Sequence, residues 1–533
     1  MRPSKSINRT SKAASIFLRA GLCLLAWIIP AGIAVSLAAT LAAPKIHIAQ
    51  GAVRGQTRDG VSVFRAIPYA AAPVGSLRFR PPERAKPWTG VLEAVADGPS
   101  CPQLPSVDPA GKASSTEDCL RLNIFAPAGG FGARHPVIVW MHGGGWVEGF
   151  AGAPQYNASA LVREGGIVVV SINYRLGVLG LLATKSLDDA NGEPSGNWLI
   201  RDQLEALRWV KENIATFGGD PDNITIAGES AGANSVLALV TSPLSGGLFQ
   251  KAIVESGVGD AHTLNRTRME QTGQEIATAL GCAAGPGQVD CLRKAPVEAI
   301  LKAGKRLGIV EDPKIFPLDP YAAYRAGKFQ HVPMLLGSNL HESYLFVART
   351  KSELGHPMTE MDYATLVKAR FGAKADTVMK LYPAKSDPAM VLGDAETDTE
   401  FACYMNLARE GASKFTRVFG YEMNEPNPVQ QQPVPASLLA NTSYHTSELA
   451  YLFDYAGAPI TGKAADLARK IRGYWINFIK TGSPGGETLP DWPRFQGPAG
   501  ALLYLSTAGG TTTDFASRHN CAALQKAGLV SSD

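Results

Sequence analysis

The chain has 533 residues, of which 45% are hydrophobic, 18% charged and 8% aromatic. That is enough apolar surface for a large packed core and too much for a disordered chain. The net charge is +4, but five positive charges and no Asp or Glu fall within residues 1–43, so the remainder carries −1. A body so close to neutral has no electrostatic footprint for nucleic acid.

Arg2, Lys5, Arg9, Lys12 and Arg19 precede the uncharged run Gly21–Ala39, and small residues follow over Ser36–Ala43. A basic segment, an apolar segment and small residues, in that order, predict an export signal over 1–43 with cleavage within 36–43. The 19-residue run is long for a signal and near the lower limit for a spanning helix. An uncleaved anchor is therefore the alternative, although Pro30 and Gly32 interrupt the run. No later stretch is long and apolar enough to span a bilayer, so the cleaved protein is expected to be secreted or periplasmic, without stable membrane insertion. Residues 44–533 then form a single domain.

Cys23 lies inside the signal, leaving Cys101, Cys119, Cys282, Cys291, Cys403 and Cys521. An even number suits an oxidising compartment. Proximity favours 101–119 and 282–291, which leaves 403 and 521; free buried thiols are the alternative. There is no C-x-x-C pair, and no metal-ligand spacing appears.

Buried-strand signals occur at Val137–Met141, Ile167–Ile172, Ile224–Ala227 and Lys251–Glu255, short and mostly apolar. Met334–Gly337 and Arg417–Met423 are later candidates. Leu204, Leu207, Val210 and Ile214 recur at helical spacing and predict a helix over Arg201–Ala215, closed by Phe217-Gly218-Gly219. A second helix is predicted over Ala464–Lys480, with Leu467, Ile471, Tyr474, Trp475 and Phe478 on one side and Gly482 as its stop. Its aromatics read as core. The Pro-rich stretch Pro426–Pro435 reads as a loop. Strands alternating with helices predict a mostly parallel sheet covered on both faces.

Gly228-Glu229-Ser230-Ala231-Gly232 is a G-x-S-x-G pentapeptide between the strand Ile224–Ala227 and a helix-compatible run, Ala233–Val240. That is the strand–turn–helix setting of a nucleophile elbow, with Ser230 at the tip. His142-Gly143-Gly144-Gly145-Trp146 follows the strand Val137–Met141, where backbone N–H donors for an oxyanion belong. His142 precedes the glycines and reads as structural.

With these motifs on hand, the chain resembles the type B carboxylesterase and cholinesterase family of α/β-hydrolases, in its bacterial type. The resemblance runs from about Gln50 to the C-terminus. It includes FRAIPYAAAPVGSLRFRPP (64–82), EDCLRLNIFAP (117–127), WMHGGGW (140–146), NYRLGVLG (173–180), DQLEALRWVKENIATFGGDPDNITIAGESAGA (202–233) and YHTSELAYLF (444–453). It implies an α/β-hydrolase fold, with a large mostly parallel sheet flanked by helices. It identifies His445 as the base and Glu342, in VPMLLGSNLHE (332–342), as the acid. The oxyanion hole would be the N–H groups of Gly144, Gly145 and Ala231, with Glu229 and Ser256 supporting the site. The resemblance also implies the bridges Cys101–Cys119, Cys282–Cys291 and Cys403–Cys521.

The expected activity is hydrolysis of a small-molecule carboxylic ester through an acyl-enzyme on Ser230, with no cofactor and no metal. Amide, carbamate or lactone hydrolysis is the alternative chemistry, and a non-catalytic binding member the alternative role. The loop PQLPSVDPAGKASSTED between Cys101 and Cys119 has no aromatic residue to hold quaternary ammonium, which disfavours a choline ester. Leu199, Ser343 and Pro313 depart from the glycines common in the family, which implies altered loops around the pocket.

Overall fold

A computed structural model of the chain describes residues 43–106, 111–189, 193–257, 259–305, 307–434, 439, 441–454 and 460–531. The segment expected to be an export signal lies, but for Ala43, outside the described residues. Residues Ala42–Asp533 cluster as one unit.

That unit is organised by a sheet of 11 strands. From edge to edge they are Thr511–Thr512, Leu502–Leu505, Val418–Met423, Met334–Asn339, Lys251–Glu255, Gly219–Glu229, His135–Met141, Val168–Ile172, Arg121–Pro127, Val61–Pro68 and Gln56–Arg58. The run from Leu502–Leu505 to Val168–Ile172 is parallel throughout; the strands outside it pair antiparallel. A separate small sheet joins Lys45–Ile48, Gly51–Arg54 and Val91–Glu93.

The central strands are buried along most of their length and apolar in their middles because both faces are covered. Successive side chains point to opposite faces. In His135–Met141, Val137, Val139 and Met141 pack into one layer and Ile138 and Trp140 into the other. The first layer takes the helices Trp198–Asn213 and Ala231–Thr241. The second takes Gly462–Thr481 through Leu467, Ile471, Tyr474, Trp475 and Phe478, all buried. Leu467, Ile471 and Phe478 each contribute about 1.5–3 kcal/mol on withdrawal from water, before entropy is counted.

Most expected elements are present, with shifted ends. The helix expected from Arg201 begins at Trp198 and tightens into a 3-10 turn over Ile214–Phe217, ending on Gly218 at φ 84°. Its first turn is apolar and buried, so no polar periodicity marks the start. Ile224–Ala227 is the middle of a strand running from Gly219 to Glu229. Gly482 ends the late helix in the left-handed conformation, at φ 73°. The Pro-rich stretch is irregular wherever it is described. Cys101–Cys119, Cys282–Cys291 and Cys403–Cys521 are each bonded. Among the described residues no helix is long and apolar enough to cross a membrane.

Candidate active site

The expected site residues meet at the carboxyl ends of adjacent parallel strands, where α/β sheets place their sites. Ser230 follows the strand Gly219–Glu229 directly and precedes the helix Ala231–Thr241. Its backbone has φ 55° and ψ −125°, a strained conformation for a residue with a side chain. Its N–H donates to the Glu255 carbonyl at 2.9 Å. The flanking glycines are there for closeness of approach. A Cβ on Gly228 would meet the backbone of Gly232, and one on Gly232 would collide with the Met141 carbonyl.

The glycine loop leaves the neighbouring strand. Gly144 and Gly145 have φ 104° and 61°, so successive amides turn outward. None of the described hydrogen bonds uses either N–H as donor. Ala231 opens its helix, where an N–H has no partner within the helix. A Cβ on Gly144 would strike the Glu148 carbonyl. The loop is braced by the first disulfide loop: Gln103 donates to the Gly149 carbonyl and accepts from the Gly149 N–H, each at 3.0 Å. His142 stacks on Tyr174 with ring centroids 4.3 Å apart, and burial pushes its pKa down to about 4. It is a neutral packing group.

His445 and Glu342 are brought together. Nδ1 of His445 lies 2.7 Å from Glu342 Oε2, and the His445 N–H donates to the Glu342 carbonyl at 3.1 Å. Both side chains are buried. Glu342 Oε1 accepts from the Asn339 N–H at 2.6 Å. The other imidazole nitrogen, Nε2, stands 3.1 Å from Glu229 Oε1, off the line of a good hydrogen bond. His341 turns away to Thr442 Oγ1 at 2.7 Å and stacks on Tyr344.

Ser256 lies behind this pair. Its Oγ donates to Glu448 Oε1 at 3.3 Å and accepts from Asn339 Nδ2, which also donates to Glu448 Oε2 at 2.7 Å. Burial and the nearby Glu342 carboxylate raise the Glu448 pKa to about 7. Burial also raises Glu255, whose Oε1 accepts from Trp475 Nε1. Burial thus shifts two of these acids toward their protonated form, which lessens the negative charge gathered behind the imidazole.

Ser230, Ala231, Gly144, Gly145, Glu229 and His445 share a cavity of about 300 Å³. Its far wall was not foreseen. Phe346 and Phe401 place their rings 5.3 and 5.1 Å from the imidazole. Arg349, Arg370 and Glu400 also line it, with Arg370 bonded to Glu400 at 2.7 Å. Phe401 and Glu400 sit on a π-helical turn, Asp398–Ala402, the kind of irregularity that often marks a functional site. Among the described residues no three His, Cys, Asp or Glu side chains converge as metal ligands.

The parallel sheet, the strained elbow and the glycine loop together define an α/β-hydrolase. The family model for the carboxylesterase family matches residues 42–524. A para-nitrobenzyl esterase of Bacillus subtilis (strain 168) is 35% identical over 480 residues, covering 86% of this chain and 94% of that protein. A fumonisin B1 esterase of Sphingopyxis macrogoltabida is 31% identical over 520 residues, covering 93% of each. A solved para-nitrobenzyl esterase superposes with a TM-score of 0.77 at 32% identity, covering 90% of this chain and 99% of that one. The chain belongs to the carboxylesterase family, and is thereby a carboxylic ester hydrolase.

Proposed function

We propose that this protein is an exported serine esterase that cleaves small-molecule carboxylic esters in two steps through an acyl-enzyme on Ser230. The observation that carries the reading is the 2.7 Å His445–Glu342 hydrogen bond, set in one cavity with a serine at a strained elbow. His445 Nε2 takes the Ser230 proton as Oγ attacks the ester carbonyl, then gives it to the departing alcohol. Glu342 holds Nδ1 protonated, so that Nε2 is the basic nitrogen. The N–H groups of Gly144, Gly145 and Ala231 receive the oxyanion. A water activated by His445 then releases the acid.

Nε2 must reach Ser230 Oγ for the first step, and apo-state catalytic hydrogen bonds commonly tighten only with substrate bound. Glu229 beside Nε2 adds a second negative charge near the imidazolium that forms. The relatives are named for a para-nitrobenzyl ester and for fumonisin B1, so membership supports the reaction class rather than a particular acid or alcohol. Three bonded disulfides support an oxidising compartment, and with the basic-then-apolar N-terminus they favour export followed by cleavage within 36–43. Residues 44–533 act as one catalytic domain.

The test is hydrolysis of p-nitrophenyl esters of increasing acyl length by the mature protein, with Ser230→Ala alongside. Loss of about 10⁴-fold or more in kcat on substitution is expected. Equal activity in the variant would remove Ser230 from the mechanism.

A further inference from the structure

The Pro-rich stretch, a plain loop by sequence, touches the segment carrying His445 on both sides of the histidine. Before it, the Glu425 N–H donates to Ser443 Oγ at 2.9 Å and Ser443 Oγ donates back to the Glu425 carbonyl at 3.0 Å. Tyr444 Oη donates to Gln430 Oε1 at 3.0 Å. After it, Gln432 Nε2 donates to Thr446 Oγ1 at 2.8 Å. Gln430 Nε2 closes the loop on itself by donating to the carbonyls of Gln432 and Val434. The prolines at 426, 428 and 433 fix φ along the same stretch.

Two features single out Gln432. Thr446 has φ 74°, a left-handed backbone that a β-branched residue rarely adopts, directly after His445. Gln432 is buried, and its amide orientation follows from chemistry. Arg349 is a donor only, and its Nη2 reaches Gln432 Oε1 at 3.4 Å. The carbonyl must therefore face Arg349, which aims the NH₂ at Thr446.

We propose that Gln432 is a positioning residue for the catalytic histidine: it holds Thr446 in its left-handed conformation and thereby fixes the direction of the His445 ring. The Pro-rich loop is then a strap across the catalytic segment. Without it, Thr446 relaxes to negative φ, the 445–446 peptide turns, and Nε2 leaves the line to Ser230. This inference rests on the serine-esterase reading above.

The experiment uses the full mature chain with p-nitrophenyl butyrate and four variants: Q432M, Q432E, T446G and Q432M/T446G. Met has the length of Gln and neither hydrogen bond. Q432M is expected to lower kcat about 30-fold, as misplacement of a catalytic group does, with KM within about 3-fold and an unchanged melting temperature. Glycine adopts positive φ without support. In the T446G background the same change is therefore expected to cost less than about 3-fold. Glu accepts from both Arg349 and the Thr446 hydroxyl, so Q432E is expected to keep kcat within about 5-fold of wild type.

Wild-type kcat in Q432M, or equal losses from that change in the wild-type and T446G backgrounds, would overturn the proposal. If Q432M does not fold, Q432E decides, and a 30-fold loss in folded Q432E overturns it as well. A wild-type protein whose activity is indifferent to Ser230→Ala would instead sink the underlying esterase reading, a separate outcome.

Discussion

Glu229, the residue before the elbow serine, holds Oε1 3.1 Å from Nε2 of His445, the nitrogen proposed to accept the Ser230 proton. The imidazole therefore lies between two carboxylates, Glu342 on Nδ1 and Glu229 beside Nε2. Their contributions are separable. Glu229→Gln keeps the shape and removes only the charge. It is expected to lower kcat about 10-fold with little change in KM, since the charge acts on the imidazolium of the transition state. Steady-state kinetics on one p-nitrophenyl ester measure it; an unchanged kcat would leave Glu229 with packing alone.

Glu342→Gln is expected to be far more costly. The amide can present its NH₂ to Nδ1 and select the wrong tautomer, and comparable changes cost about 10⁴-fold in kcat. Circular dichroism matching wild type would assign the loss to chemistry. A loss below about 10-fold would argue against Glu342 as the orienting acid.

Gly144→Ala tests the glycine loop. The new methyl would meet the Glu148 carbonyl, at a φ of 104° that alanine resists. The loop must shift, and its N–H donors with it. A fall of about 10²–10³-fold in kcat is expected, the size of losing one oxyanion donor, with the ester still bound. Gly247→Ala is the control: it too has positive φ, at 77°, but it has open space and lies away from the cavity. Equal effects in the two variants would point to general strain.

A pH-dependent contribution to stability is expected from His519. Nδ1 lies 2.5 Å from Asp398 Oδ1 and Nε2 2.9 Å from Glu422 Oε1. Burial alone lowers the imidazole pKa, but the two carboxylates outweigh it and raise it to about 9. Because the folded value exceeds the unfolded 6.5, the stabilisation is complete below about pH 6.5 and fades as pH rises through about 9. His519→Gln is expected to cost about 3 kcal/mol at pH 6, in the range for breaking a buried ion pair, and much less at pH 9.5. Urea unfolding at the two pH values measures it. A gap that grows with pH would show that His519 is held neutral.

What could be read from the sequence follows the range over which each feature is encoded. The elbow and the glycine loop are continuous stretches beside buried strands, so Ser230, Gly144 and Gly145 stood out locally. His445 and Glu342 lie on loops with no pattern of their own, and only the resemblance picked them from the other histidines and acids. Phe346, Arg349 and Phe401 left no signal: on a helix or a π turn, an aromatic or an arginine at that spacing looks like ordinary amphipathic packing. Gln432 was hidden in a proline-rich run whose partners lie beyond it in sequence, and no periodicity reports such a tie. Strand centres were legible for the same reason as the elbow. Their ends were not, because Gly219–Asn223 joins its strand through pairing and a bulge rather than through hydrophobicity.

The order of strands in the sheet has a consequence for assembly. The glycine loop, Ser230, Glu342 and His445 follow the strands His135–Met141, Gly219–Glu229, Met334–Asn339 and Val418–Met423, and these four are parallel members of one continuous run. Parallel partners are joined by long crossover connections, and such non-local closure is slow. The proposed catalytic residues are therefore expected to come together late in folding. During refolding with the disulfides intact, far-UV signal should return well before esterase turnover, so turnover clocks completion of the sheet.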